Sequence, residues 1–177
     1  PTPDVSPFAL STYTSQMYEI NKVISEVMAS KGGSDDQKRA IRGEAQATRA
    51  FLIFNLANYY CKPYLAATAG TDPGFPFTTE PSVTTAVFKR GTLQQTYDFI
   101  IKDLTEALQY IPAKQAYVTR MSKPAVEGLL GKVYLFMGRY NDALPLLKAA
   151  MADVAANGQT VLYNYNRTLE PGGAFLP

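Results

Sequence analysis

Between Thr92 and Pro112 the chain specifies a helix completely: where it starts, which face it buries and where it stops. Thr92-Leu93-Gln94-Gln95 has the form of a capping box, in which a hydroxyl and a side-chain amide satisfy two amide groups that the first turn leaves unpaired. Leu93, Tyr97, Ile100, Ile101, Leu104, Leu108 and Ile111 then recur at three- and four-residue spacing and form one apolar stripe. Pro112 ends the run. A stripe of this kind must pack against other elements, so the rest of the chain has to supply partners.

Four further segments supply them. Residues 11–29 carry Tyr13, Met17, Ile20, Ile24 and Val27 at helical spacing, and Gly32-Gly33 follow as a stop. Ser34-Asp35-Asp36-Gln37 forms a second capping box, with two acids at the positive end of the helix dipole. It opens a helix that runs to about Tyr60, before Pro63. Within it, Ala50-Phe51-Leu52-Ile53-Phe54 is apolar all round, which predicts a helix surrounded by protein. Ser122 is the expected cap of a fourth helix, with Pro124 in the first turn, where its missing N–H costs little. Val126, Leu129, Leu130, Val133, Tyr134 and Met137 form its stripe, and Gly128 and Gly131 should let a neighbour approach closely. After Gly138-Arg139-Tyr140 a fifth helix is expected over about 141–155, closing at Asn157-Gly158. Pro145 requires that helix to begin near Asn141, whose carbonyl it would otherwise meet.

From about residue 61 to 90 the periodicity vanishes. Gly70, Pro73, Gly74, Pro76 and Pro81 break any regular element, and a loop of that length inside a domain is often functional. The charged residues Glu44 and Arg49 stand inside the most apolar helix, the second. Their spacing of five does not make them mutual partners, so each should pair with another helix, Arg49 with Asp103.

The last two helices match the tetratricopeptide pattern: Leu130-Gly131, Tyr134, the turn at Gly138, then Ala143, Leu147 and Ala150. The fold class expected is therefore all-α, with tetratricopeptide-like right-handed helical hairpins, a repeat hairpin at 122–155 and a long irregular loop at about 61–90. One hairpin cannot bury both its faces alone, so the first three helices must pack against it. Core packing is the expectation for Phe51, Phe54, Tyr97 and Tyr134.

Composition excludes several chemistries. Histidine is absent and Cys61 is the single cysteine, so Ser-His-Asp and Cys-His catalysis, Cys/His zinc sites and haem ligation by His lack their parts. No cofactor is expected, and Cys61 is expected to be a packed thiol. Seventeen basic residues against 15 acidic ones leave a net charge of +2, gathered in no patch, so no nucleic-acid partner is implied. No apolar run is long enough to cross a bilayer. The abrupt opening Pro1-Thr2-Pro3-Asp4 and the closing Glu170-Pro171-Gly172-Gly173 strip predict that 1–177 is a single helical domain excised from a longer protein.

Four stretches, in order, resemble the SusD/RagB family of Bacteroidetes nutrient-uptake proteins. They are Met17-Tyr18-Glu19-Ile20-Asn21-Lys22-Val23-Ile24; Arg42-Gly43-Glu44-Ala45 through Arg49-Ala50-Phe51 to Leu56; Gly91-Thr92-Leu93 through Asp103-Leu104 to Pro112; and Arg120 through Gly138-Arg139-Tyr140 to Ala143. The sequence departs from the family at Cys61-Lys62-Pro63, and at Gly128 and Gly131, where Ala is commoner. The resemblance implies a SusD-like α-α superhelix that is non-catalytic and lipid-anchored on the outer membrane at the cell surface. It also implies capture of a glycan or other nutrient, and docking on a SusC-like TonB-dependent outer-membrane transporter.

Sugar recognition needs aromatic faces and planar polar groups. Tryptophan is absent, and the aromatics outside the helical stripes are the candidates: Tyr64, Phe75 and Phe77 with Asp72 in the loop, and Tyr163, Asn164, Tyr165 and Arg167 in the tail. Of the tail, Tyr165 and Arg167 are the candidate contacts. For both groups the competing expectation is packing within the parent protein. Two other classes stay open: an intracellular tetratricopeptide scaffold gripping a peptide, and a polysaccharide-cleaving enzyme working with two carboxylates. The first would need several regular repeats, the second a placed acid pair.

Overall fold

A computed structural model describes residues 8–81 and 90–158. Its elements are α1 (Phe8–Glu26), α2 (Asp35–Tyr60), α3 (Leu93–Ala107), α4 (Lys123–Phe136) and α5 (Tyr140–Ala156), with one 3-10 turn, Val27–Ala29, after α1. Both capping boxes form. The Gln37 amide N–H donates to Ser34 Oγ (3.3 Å) while Ser34 N–H donates to Gln37 Oε1 (2.9 Å). At α3 the equivalent bonds of Thr92 and Gln95 measure 3.2 and 2.9 Å.

Consecutive helices pack as neighbours: α1 on α2, α2 on α3, α3 on α4 and α4 on α5, with α2 also reaching α4. The all-α hairpin architecture expected from the periodicity is therefore the one observed. Leu93, Tyr97, Ile100 and Leu104 of α3 are buried against Ala47, Ala50, Ile53 and Phe54 of α2 and Val126, Leu130 and Val133 of α4. The Phe54 ring meets Tyr97 edge-on, with centroids 6.1 Å apart. Cys61 is free, half-buried and packed against this core.

Three local expectations are corrected. Phe51 is 43 % exposed although its neighbours Ala50, Leu52, Ile53 and Phe54 are buried. Helices α1, α3 and α4 cover the other sides of α2 and leave the strip of Phe51, Asn58 and Tyr59 to solvent. Ser122 occupies the cap position of α4 but its hydroxyl makes no capping bond. Pro124, at the second helical position, has no N–H to offer it, which removes one of the two amides a cap can accept from. Gly128 faces open space, whereas a Cβ on Gly131 would lie 2.7 Å from Leu147 Cδ2. Only Gly131 therefore permits the close α4–α5 approach. The helix whose start Pro145 constrains begins, as expected, next to Asn141, at Tyr140.

The α4–α5 turn satisfies the last carbonyls of α4 by a Schellman motif. Gly138 adopts a left-handed conformation (φ 72°), Arg139 N–H donates to the Tyr134 carbonyl (2.8 Å) and Gly138 N–H to that of Leu135 (3.0 Å).

Candidate functional site

The candidate site is the irregular segment after α2, and its path is decided by the needs of α3. A helix leaves its first amide groups without intrahelical acceptors. Here the loop supplies two of them: Leu93 N–H donates to the Asp72 carbonyl (2.8 Å) and Gln94 N–H to the Ala69 carbonyl (2.9 Å). Two turns over residues 65–72 put those carbonyls in place, with Ala69 N–H donating to Leu65 O and Asp72 N–H to Thr68 O, each at 2.8 Å. Pro73 bridges Thr92, and Gly74 N–H donates to the Gly91 carbonyl (2.8 Å). A Cβ on Gly74 would collide with Thr96 Oγ1 and the Thr92 carbonyl, so this crossing needs glycine.

Side chains add to that backbone anchor. Asp72 is buried, and its carboxylate accepts from Lys62 Nζ at 2.7 Å. Hydrogen bonds from Lys62 and Thr68 hold its carboxyl below the usual range, against the opposing effect of burial. Tyr64 is half-buried: its ring lies 4.8 Å from that of Tyr97 and its hydroxyl donates to Gln94 Oε1. Burial pushes the Tyr97 hydroxyl up to about 12. Phe77 packs on Phe99 of α3 with centroids 4.6 Å apart, and Phe75 lies 5.9 Å from Tyr60 at the end of α2.

The four loop candidates therefore sit on one segment, each with an internal neighbour. Tyr64, Phe75 and Phe77 keep part of their surface exposed, and Asp72 does not. Tyr165 and Arg167, like Tyr163 and Asn164, lie outside the described residues. Two residues beside the loop were not among the candidates. Tyr60 is 44 % exposed against Phe75, and Arg90 donates from Nε to the Gly74 carbonyl (2.5 Å) and from Nη2 to the Tyr60 carbonyl (3.4 Å). The first was hidden by its helical position. The second follows the breaker-rich stretch and has no sequence signal of its own.

Below the loop, Arg49 makes the expected pair with Asp103. Its Nε and Nη2 donate to the two carboxylate oxygens at 2.7 and 2.8 Å, and both side chains are buried. Burial raises the Asp103 carboxyl above the usual range, opposed by the bonds from Arg49. Glu44 pairs with Arg120, on the connector before α4 and not on a helix, with Nε to Oε1 at 3.0 Å. Among the described residues no group of three or more acidic or cysteine side chains could hold a metal ion, and no helix is long and apolar enough to cross a membrane.

A core of packed helical hairpins carrying one long, internally braced loop defines an all-α scaffold. Residues 7–135 match the SusD-like family described as starch-binding and associating with the outer membrane, and the chain belongs to that family. Among solved structures, a candidate sugar-binding protein from Bacteroides vulgatus is similar at 27 % identity and a TM-score of 0.80, over 89 % of this chain and 36 % of its own. A SusD superfamily protein from Bacteroides thetaiotaomicron shares 27 % identity at a TM-score of 0.75, over 89 % of this chain and 34 % of its own. A laminarin-binding SusD-like protein, at 24 % identity and a TM-score of 0.65 over 79 % of this chain and 28 % of its own, shares the fold. The chain thus spans about a third of the length of the first two. Comparison with curated protein sequences gives no match.

Proposed function

We propose that this chain is the helical portion of a non-catalytic protein that holds a glycan at the cell surface for uptake. The protein would be lipid-anchored and would work with a SusC-like TonB-dependent outer-membrane transporter. The observation that carries the reading is the family match over residues 7–135, whose description is starch binding at the outer membrane. Likeness to sugar-binding and laminarin-binding relatives of the same fold agrees with it.

Within the chain, the sugar-contacting part is the loop that α3 anchors. Tyr64 and Phe75 offer partly exposed rings, Tyr60 extends that aromatic surface, and Arg90 puts a guanidinium beside it. Aromatic faces stack on the C–H face of a pyranose, and a guanidinium donates to hydroxyls in a fixed plane. Asp72 and Phe77, held by Lys62 and Phe99, take part chiefly by holding the loop in shape. Tyr165 and Arg167 belong to the same proposed contact set. Residues 1–177 form one helical domain of the longer protein. Catalysis is not part of the reading: the paired carboxylates Asp72 and Asp103 are occupied by Lys62 and Arg49.

The test is co-purification. The full-length protein, expressed in its native membrane, should bring down a β-barrel transporter and bind soluble starch or laminarin on affinity gels. Recovery without any such transporter would refute the partnership, and unretarded migration on every glucan tested would refute the ligand class.

A further inference from the structure

Asn21 of α1 is fully buried and faces two ways. Its amide oxygen accepts from Arg49 Nη1 at 2.8 Å, and its amide nitrogen donates to the Thr78 carbonyl, also at 2.8 Å. Its orientation is unambiguous, because a guanidinium only donates and a carbonyl only accepts. The Arg49 guanidinium, doubly bonded to Asp103, also lies 4.9 Å from the Phe99 ring centroid, and Phe99 carries Phe77 of the loop. Two routes, one hydrogen-bonded and one stacked, thus run from a single buried guanidinium to adjacent loop residues, 78 and 77.

Charge pairing alone does not require this arrangement, since Asp103 already meets the Arg49 charge. The backbone anchors of the loop act elsewhere, at Ala69, Asp72 and Gly74. The geometry points to Asn21 as a positioning residue: held by the Arg49–Asp103 pair, it latches residues 77–78 and so sets the loop that presents Phe75 to a glycan. Neither Asn21, Arg49 nor Asp103 touches the ligand. The consequence for binding rests on the glycan reading above; the latch itself is read independently of it.

Asn21→Asp tests the latch in the full-length protein. It keeps the shape and an oxygen for Arg49, and replaces the donor to Thr78 with a second oxygen that repels the carbonyl. The Phe77–Thr78 peptide bond is a chymotrypsin site whose two residues are held by Phe99 and Asn21, whereas Phe75 precedes proline and is not cut. Native chymotryptic nicking at Phe77–Thr78, read by fragment mass, should accelerate about five- to tenfold, as expected for loss of one buried hydrogen bond from a local opening equilibrium. Cleavage within α2 and α3 should stay at the wild-type rate, and binding to soluble starch should weaken by a similar factor. Asn21→Ser, which removes the amide without adding a charge, should accelerate the same cut and carries the test if Asn21→Asp does not fold; Phe99→Leu leaves the Asn21 bonds in place and reports the stacked route alone. Wild-type nicking rates, or an equal rise at every site, would overturn the latch. Selective nicking in a protein whose wild type ignores glucans would support the latch and refute the glycan reading.

Discussion

Gly128 and Gly131 lie one helical turn apart on α4, and the same substitution should act on them with opposite sign. Alanine in place of glycine in a helix interior gains about 0.8–1.0 kcal/mol from backbone entropy. At Gly128 nothing lies within 4 Å of an added Cβ, so the whole gain is realised. For a chain of this length that raises Tm by about 2–4 °C. At Gly131 the added carbon would sit 2.7 and 2.8 Å from Leu147 Cδ2 and Cγ and 3.4 Å from the Ala143 carbonyl. Overpacking of this kind costs about 1–3 kcal/mol, which offsets the gain and leaves a net loss of up to about 2 kcal/mol. Leu147 is the colliding group, so in a Leu147→Ala background Gly131→Ala should turn stabilising. Thermal and urea unfolding of Gly128→Ala, Gly131→Ala, Leu147→Ala and the Gly131→Ala/Leu147→Ala double variant measure all four terms. Equal shifts of one sign at 128 and 131, or a Gly131→Ala loss that persists without Leu147, would refute the packing argument.

The buried pair gives a larger effect: Asp103→Ala strands the Arg49 charge and should cost about 3–5 kcal/mol by urea denaturation, much of it recovered when Arg49→Met is added. Gly138→Ala places a Cβ at φ 72° in the Schellman turn and should cost about 1–2 kcal/mol by the same measurement. Ser34→Ala should lose about 1 kcal/mol, whereas Ser122→Ala, whose hydroxyl caps nothing, should change stability far less. The Asp72 carboxyl is held below its unfolded value, so its contribution is present above that value and is lost as pH falls through the folded one. The loop should therefore loosen in acid, read as accelerated exchange of the Leu93 and Gln94 amides, and Lys62→Ala should move that loosening toward neutral pH.

The elements of the fold were legible because this chain writes its helix ends in side chains. Ser34 with Gln37 and Thr92 with Gln95 form the reciprocal bonds their spacing announces. The end of α3 comes earlier than its stripe implies: the helix closes at Ala107, and Leu108 and Ile111 continue its buried side from a turn before Pro112. Arg49 with Asp103 was legible for another reason: a cation next to the apolar run that begins at Ala50 must find an anion, and α3 offered one. The course of the loop was not legible. It is set by carbonyls of Ala69 and Asp72 that accept from α3, and carbonyls carry no residue-specific signal. Asn21 reads as an ordinary polar residue on an amphipathic helix, and its double role appears only when residues 49 and 78 arrive beside it. The two glycines of α4 are alike in sequence; which one faces α5 depends on the rotation of the helix.

The central claim, a family scaffold that binds glycan without cleaving it, is tested most directly by calorimetric titration of the full-length protein with soluble starch and laminarin, followed by an assay for released reducing ends. The full-length protein should bind at least one glucan saturably, with binding weakened by Tyr64→Ala and no reducing ends released. Release of reducing ends, or binding unaffected by loss of the Tyr64, Tyr60 and Phe75 rings together, would contradict it.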